Sequence, residues 1–165
     1  NEYIMGIDPG LKGGIVLVDK HGEIIFKWVM PVMEEQKGKN TIDLFELREI
    51  FDECKEIKHC YLEKVSAMPK QGVSSTFKFG RCYGIIEAML AAYQIPYTLT
   101  TPQRWQKEMH KDIDRKLDSK KRSILAYKRF YPKTDPLGLQ REAQSPTMAL
   151  WTPCLLLNMA EEIHT

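Results

Sequence analysis

Two acidic residues close apolar, strand-like runs that lie far apart in the chain. Asp8 comes directly after Ile4-Met5-Gly6-Ile7, and Glu63 follows Cys60-Tyr61-Leu62. If these two strands are neighbours in a sheet, the carboxylates approach each other, and a cation best relieves their repulsion. Hard oxygen ligands on rigid elements are what a divalent metal needs. Bound metal ions can activate water and stabilise the leaving oxygen in phosphodiester cleavage.

Asp8 and Glu63 are therefore the predicted catalytic and metal-binding residues. The alternative interpretation makes Asp8 a turn-former, because Pro9-Gly10 follows it, and Glu63 a surface acid. Their shared position at the ends of two strands favours the metal site.

The net charge of +2 hides an uneven distribution of charge along the chain. Residues 70–129 are clearly basic, whereas the acids concentrate in residues 34–57. A basic half favours a polyanionic partner. A solvated helix face gives the same pattern, so charge alone does not decide between the two.

The cysteines and the apolar runs indicate a cytoplasmic protein without a membrane segment. The four cysteines have no metal-ligand spacing and are predicted to be reduced and mostly buried. The apolar runs are too short to span a bilayer, and the N-terminus lacks the layout of a signal peptide.

Periodicity and turn signals predict the elements that position the two acids, within one domain of 165 residues. Strands are predicted at residues 2–8, 13–19, 23–30, 59–65 and 95–99, with Gly22 in the second turn. Helices are predicted to begin near residues 40–43 with Thr41 as cap, at Ser74 or Ser75, at Thr101-Pro102, and over residues 118–130. A last apolar segment covers residues 150–163.

This order predicts an α/β fold with a mixed sheet, in which a three-strand antiparallel meander precedes alternating strands and helices. The order resembles the ribonuclease H-like fold. Members of that fold place acids at strand ends around divalent metals.

Four motifs occur in order along residues 3–132. They are Gly6-Ile7-Asp8-Pro9-Gly10, Leu62-Glu63-Lys64-Val65, residues 68–81 and Thr101-Pro102-Gln103-Arg104-Trp105. Together they resemble the RuvC-like Holliday junction resolvases, in particular phage and prophage forms. The resemblance implies a structure-specific endonuclease of the bacterial cell that acts on four-way DNA junctions with Mg²⁺ or Mn²⁺. It also implies a homodimer, and we expect neither a nucleotide cofactor nor a membrane partner.

The stretch around residues 70–81 has the chemistry of a phosphate-binding helix start. Its hydroxyls and backbone N–H groups lie where the helix dipole favours phosphate, although plain helix capping needs only one hydroxyl. Nearby cations can add phosphate contacts, and the start of the last predicted helix resembles a basic helix that the family presents near its active site. The predicted DNA-binding residues are Lys70, Gln71, Ser74, Ser75, Lys78, Arg81, Lys120 and Lys121.

Three aromatic residues in these regions are predicted to pack in the core. They are Phe77, Phe79 and Trp105. Stacking of the two phenylalanines on unpaired bases is the alternative.

The resemblance ends near the C-terminus. Family members close with Asp-Gly-x-x-Asp-Ala, which supplies further metal ligands, but residues 148–153 contain no carboxylate. In a shifted reading frame, Met148 into Ala149 must encode Gly, and Trp151 into Thr152 must encode Asp. We therefore hypothesise that the chain is out of frame from about residue 135 or 136, so that residues 136–165 are aberrant; a divergent natural tail is the alternative. Loss of these acids predicts weak metal binding and slow or absent cleavage, with DNA binding retained.

Two further function classes remain open. A non-catalytic junction-binding protein is favoured by the missing acids. An actin-like phosphotransferase is suggested by Asp8-Pro9-Gly10 followed by Gly13-Gly14, which resembles a phosphate-binding hairpin. That fold needs two lobes and a second such hairpin, neither of which this sequence provides.

Overall fold

A computed structural model describes residues 2–35, 38–64, 66 and 72–132. Its strands are β1 (Tyr3–Asp8), β2 (Gly14–Val18), β3 (Ile24–Val29), β4 (Val32–Glu35), β5 (Lys39–Ile42), β6 (Ile57–Glu63) and β7 (Tyr97–Thr100). Its helices are α1 (Leu44–Glu53), α2 (Val73–Ala92), α3 (Pro102–Met109) and α4 (Ser119–Phe130).

Five of the strands form one mixed sheet in the order β3-β2-β1-β6-β7. The first three strands are an antiparallel meander, whereas β6 runs parallel to β1 and β7 runs parallel to β6. Helices cover both faces of the sheet. The predicted fold class, a mixed α/β sheet with a three-strand meander and flanking helices, is confirmed.

The two faces follow from the alternation of side chains along each strand. One face packs on α1 and α2 and buries Met5, Ile7, Ile15, Leu17, Leu62, Phe51 and Ile86. The opposite face packs on α3 and α4 and buries Val16, Val18, Tyr61, Trp105, Met109, Ala126 and Tyr127. Adjacent strand residues thus supply separate cores, which makes the molecule three layers thick.

The prediction that a helix begins within residues 40–43 is wrong. Residues Lys39–Ile42 form β5, which pairs with β4 as a separate two-stranded hairpin. Helix α1 begins at Leu44, and Asp43 rather than Thr41 caps it, because its carboxylate accepts hydrogen bonds from the N–H groups of Phe45 and Glu46. Carboxylates cap as well as hydroxyls do, so the cap lay two residues beyond the prediction.

The start of α2 also differs from the prediction. Gly72 occupies the N-cap position and makes no side-chain capping bond, so Ser74 and Ser75 lie inside the first turn. The remaining helix starts are confirmed, since Thr101 caps α3 and Asp118 caps α4.

Two further local predictions are confirmed, one for a glycine and one for three of the four cysteines. Gly22 has a φ of 77°, as the turn between β2 and β3 requires. Cys54, Cys60 and Cys82 are buried and free. No helix in the described ranges is both long enough and apolar enough to cross a bilayer. Lys70, Gln71, the apolar segment at 150–163 and the reading-frame hypothesis lie outside the described residues.

Candidate active site

The two predicted acids are the last residues of neighbouring parallel strands. Asp8 ends β1 and Glu63 ends β6, and the register pairs Ile7 with Leu62 directly before them. The condition that the sequence left open, that the first strand adjoins the strand of Glu63, is therefore met. Because parallel strands end at the same edge of a sheet, the structure brings both carboxylates together there.

Both acids share the face of the sheet that α3 and α4 cover. Side chains an even number of residues apart lie on the same face of a strand, so Asp8 shares a face with Ile4 and Glu63 shares one with Tyr61. Tyr61 belongs to the core beneath α3 and α4, and Ile4 packs against that core. The acids thus lie at the open end of a packed layer, in partly buried positions.

A tight turn holds Asp8. The N–H of Gly10 donates to Asp8 Oδ1 at 3.2 Å, and the N–H of Gly13 donates to the carbonyl of Gly10 at 2.8 Å. A Cβ atom added at Gly13 would lie 2.1 Å from the carbonyl oxygen of Asp8 and 2.8 Å from its Oδ1. Gly13 therefore permits an approach of the backbone to Asp8 that no side chain allows.

Trp105 contacts the second acid directly. Its indole N–H donates to Glu63 Oε2 at 2.7 Å, and its side chain is 3% exposed. The predicted packing role is confirmed, but this hydrogen bond was missed by sequence reasoning. The available signal was general: a buried indole N–H usually finds a partner, and α3 begins directly after the strand that adjoins β6.

Burial and mutual repulsion disfavour the charged forms of both acids. Burial raises the pKa of Asp8, and the Gly10 N–H partly offsets this. Burial, followed by the negative charge of Asp8, raises the pKa of Glu63 to about 7, while the bond from Trp105 opposes the rise. Burial and repulsion therefore favour a proton on Glu63 near neutral pH, and a bound cation would oppose both effects.

The chemistry of this pair fits a hard divalent cation. Carboxylate oxygens suit Mg²⁺ and Mn²⁺, and Mg²⁺ is often held by one or two carboxylates together with waters and substrate phosphates. The part of the chain that the structure describes contains no group of three or more His, Cys, Asp or Glu side chains that could hold a metal. The described residues thus offer two carboxylates at this edge of the sheet and not a complete set of metal ligands.

Two of the predicted DNA-binding residues lie beside the turn of Asp8. A cavity of about 390 Å³ is lined by Gly10 and Lys12 on one side and by Ser75 and Lys78 on the other. The cavity thus lies between the first turns of α2 and the loop that follows Asp8. Ser74 is exposed in the same helical turn.

Three further predicted DNA-binding residues among those that the structure describes do not line this cavity. Arg81 contacts Glu35 of the β4–β5 hairpin at 3.4 Å. Lys120 and Lys121 are exposed at the start of α4, where Lys121 lies 3.8 Å from the cap Asp118.

The core position predicted for Phe77 is wrong. Its side chain is 74% exposed, and Val73 one turn earlier is 88% exposed. Phe79 is half-buried and lines the cavity. The apolar side chains at the start of α2 therefore face outward, next to the cations.

Solved structures of RuvC share this arrangement of strands and helices. The structure of Thermus thermophilus RuvC in complex with a Holliday junction substrate matches with a TM-score of 0.62 at 13% identity, over 99% of this chain and 96% of that chain. This chain has the RuvC fold. A second T. thermophilus RuvC structure matches with a TM-score of 0.53 at 14% identity, over 99% and 97% of the two chains.

At this sequence identity, the similarity to RuvC concerns the fold and gives no information on the roles of individual residues. No protein-family model matches the sequence, and no curated protein matches it. The predicted ribonuclease H-like fold is confirmed by the RuvC structures, and the function has to be argued from the site.

Proposed function

We propose that this protein is a metal-dependent endonuclease that hydrolyses phosphodiester bonds in four-way DNA junctions. The observation that carries the proposal is the pairing of Asp8 and Glu63 at adjacent strand ends, with the pKa of both carboxyls raised. Perturbed carboxyls that face each other at the edge of a sheet are typical of functional sites. The RuvC structure with a bound Holliday junction substrate supports this choice of DNA.

Asp8 and Glu63 would hold Mg²⁺ or Mn²⁺. The chemistry that such an ion would supply is a water of lowered pKa and charge to offset that on the leaving oxygen. Before binding, the raised pKa values mean that Glu63 holds a proton for part of the time at neutral pH. Glu63 must release this proton to bind the cation, while Gly10 and Trp105 keep the two carboxylates oriented.

The start of α2 is the proposed phosphate-binding surface. Among the described residues, no side chain caps its first N–H groups, which can therefore meet an anion at the positive end of the helix dipole. Lys78 and Lys12 make no ion pair with the described residues, and both line the cavity next to the turn that follows Asp8. A strand that follows this surface would pass the end of the sheet at which the two acids lie. The remaining proposed contacts are Lys70, Gln71, Ser74, Arg81, Lys120 and Lys121.

A homodimer is proposed as the working unit. Cutting two strands of a junction requires two active sites, which a two-fold symmetric pair of chains provides. Sedimentation equilibrium of the full chain tests this, and a monomer at all concentrations up to those that saturate a junction would contradict it.

Cleavage of a synthetic four-way junction with Mg²⁺ tests the proposed activity. Asp8→Asn and Glu63→Gln are made both in this chain and in a version whose reading frame is restored after Asp135, because the aberrant tail predicts slow or absent cleavage by the chain itself. Each removes one charged ligand and should lower the rate of the version that cleaves by at least about 100-fold, the upper end of the loss typical for a partner of a metal ligand. The matched controls are Asp19→Asn, in the turn at the opposite end of the sheet, and Glu53→Gln, at the exposed end of α1. Equal cleavage by Asp8→Asn, or equal cleavage of a linear duplex of the same sequence, would contradict the proposal.

A non-catalytic junction-binding protein is the second candidate. It is favoured by the described residues supplying only two carboxylates. The same assay should therefore include a version whose reading frame is restored after Asp135. Cleavage by the restored version alone supports the resolvase with a frameshifted tail. Junction binding without cleavage by either version would select the non-catalytic function.

A further inference from the structure

We propose that Trp105 is a positioning residue, which fixes the carboxylate of Glu63 so that one oxygen remains directed at the metal. This inference rests on the proposed function, because it assigns to Trp105 a part in the same two-carboxylate site. It adds Trp105 to the proposed site, although the sequence predicts only a packing role for this residue.

The contact has the geometry of a strong, charge-assisted hydrogen bond. The distance of 2.7 Å between Trp105 Nε1 and Glu63 Oε2 is at the short end of the range for such bonds. The bond is formed by a side chain that is only 3% exposed, so water competes little for either atom. It engages Oε2 and leaves Oε1 as the oxygen for a cation.

Glu63 needs such a partner more than Asp8 does. Asp8 has a short side chain and is fixed by the N–H of Gly10. Glu63 has a longer side chain with more rotamers, and the negative charge of Asp8 repels it. Among the described residues, Trp105 is the side chain that donates a hydrogen bond to the Glu63 carboxylate. Without it, the carboxylate would turn away from Asp8 in the absence of metal, and binding would have to reverse that motion.

Trp105 itself is held firmly by the layer of α3 and α4. Thr101 caps α3 one turn before it, and the ring of His110 packs edge-on against the indole at 5.9 Å between centroids. His110 contacts Ser123 of α4 at 3.0 Å, and Arg129 of α4 donates to the carbonyl of Met109 at 3.2 Å. The indole therefore has a fixed position relative to the sheet, which a positioning residue requires.

The test compares Mn²⁺ affinity between variants of the full chain, using electron paramagnetic resonance of free Mn²⁺. Trp105→Phe keeps most of the packing and removes the donor. Loss of a partner that orients a metal ligand typically weakens metal binding about 10–100-fold. We expect a loss in this range for Trp105→Phe, with metal-free junction affinity unchanged within about twofold. Trp28→Phe, which changes a tryptophan of β3 that stacks on Phe26, is the matched control and should bind Mn²⁺ as the wild type does.

The outcomes separate this inference from the proposed function. If Glu63→Gln weakens Mn²⁺ binding but Trp105→Phe does not, the positioning role is overturned and the metal site stands. If Trp28→Phe weakens binding as much as Trp105→Phe, the effect is one of packing and the inference is again overturned. Absence of Mn²⁺ binding to the wild type would overturn both the inference and the metal site.

A second measurement guards against a Trp105→Phe chain that does not fold. The indole N–H proton of Trp105 in the metal-free wild type should resonate downfield and exchange slowly, because it is hydrogen-bonded and buried. Glu63→Ala removes the acceptor and should move this resonance upfield, whereas Asp19→Asn should leave it in place. An unchanged resonance in Glu63→Ala would contradict the proposed contact.

Discussion

Gly13 sets how closely the chain can approach the first acid. Its backbone packs against the carbonyl of Asp8, and its own carbonyl accepts a hydrogen bond from the N–H of Met30 at 2.9 Å. The turn after β1, the end of β3 and the position of Asp8 are therefore linked through one residue without a side chain.

Gly13→Ala should destabilise the protein and displace Asp8. The added Cβ would meet the backbone of Asp8 at 2.1 Å, and backbone cannot move aside as a flexible side chain can. We expect a loss of about 2 kcal/mol or more in the free energy of unfolding, as for other overpacked sites. Urea unfolding measures this loss.

Gly84→Ala is the matched control for that substitution. Gly84 lies within α2, and a Cβ there would meet nothing within 4 Å. Alanine should stabilise the helix by up to about 1 kcal/mol. A Gly13→Ala chain as stable as the wild type would show that the turn relaxes and that the close approach is not required.

At the residue scale, sequence reasoning could find the acids but not their partners. Asp8 and Glu63 were predicted because each closes an apolar run, and the strand pairing places them as expected. The bond from Trp105 could not be predicted, since it depends on where α3 packs over β6. The exposure of Phe77 could not be predicted, because an aromatic residue in an apolar helix usually indicates a core position.

Among the elements, α1 has a cap that the sequence did not single out. Asp43 satisfies the N–H groups of Phe45 and Glu46 at 3.0 and 3.1 Å. Asp43→Ala should therefore lower the free energy of unfolding by about 1 kcal/mol. Thermal or urea unfolding provides the measurement.

Thr41→Ala tests the alternative cap in the same segment. Thr41 lies in β5 opposite Met33, where its hydroxyl caps no helix. We expect a smaller effect than for Asp43→Ala. A larger effect of Thr41→Ala would favour a helix that starts earlier than Leu44.

The β4–β5 hairpin has no clear signal in the sequence. Each of its strands is four residues long, and all the residues of β4 are exposed, so no alternation of apolar and polar residues indicates a strand there. The turn signal is Gly38, which has a φ of 70°. The helix that follows has clear apolar periodicity. This periodicity, with Thr41 as a possible cap, predicts a helix start that falls within β5.

At the scale of the whole molecule, two lysines lie near the end of the sheet that carries the acids. Lys12 and Lys78 line the cavity next to the turn that follows Asp8, and the start of α2 lies at the same place. Lys20, in the turn after β2, lies at the opposite end of the sheet because β2 runs antiparallel to β1. A DNA strand that reaches the acids should therefore contact Lys78 and not Lys20.

Lys78→Ala should weaken junction binding and reduce its dependence on salt. Each phosphate contact that is lost lowers the slope of log affinity against log salt by about 1. Fluorescence anisotropy over a series of salt concentrations measures the slope. Lys20→Ala is the matched control, and an equal change in both variants would indicate a general charge effect without a defined DNA surface.

The overall fold could be predicted because the order of strands and helices restricts the sheet to few arrangements. Three meander strands followed by alternating helices and strands leave β1 at the centre, next to β6, as the structure shows. The reading-frame hypothesis for the tail stays a prediction, since it concerns residues beyond 132.

The most direct measurement of the central claim is the anomalous scattering of Mn²⁺ in crystals of the full chain soaked with that ion. The account predicts a peak at the carboxylates of Asp8 and Glu63, within coordination distance of an oxygen of each. The peak should be absent from crystals of Asp8→Asn and present in Asp19→Asn. A wild-type peak elsewhere, or none at the two acids, would contradict a metal centre at this edge of the sheet and the nuclease mechanism built on it.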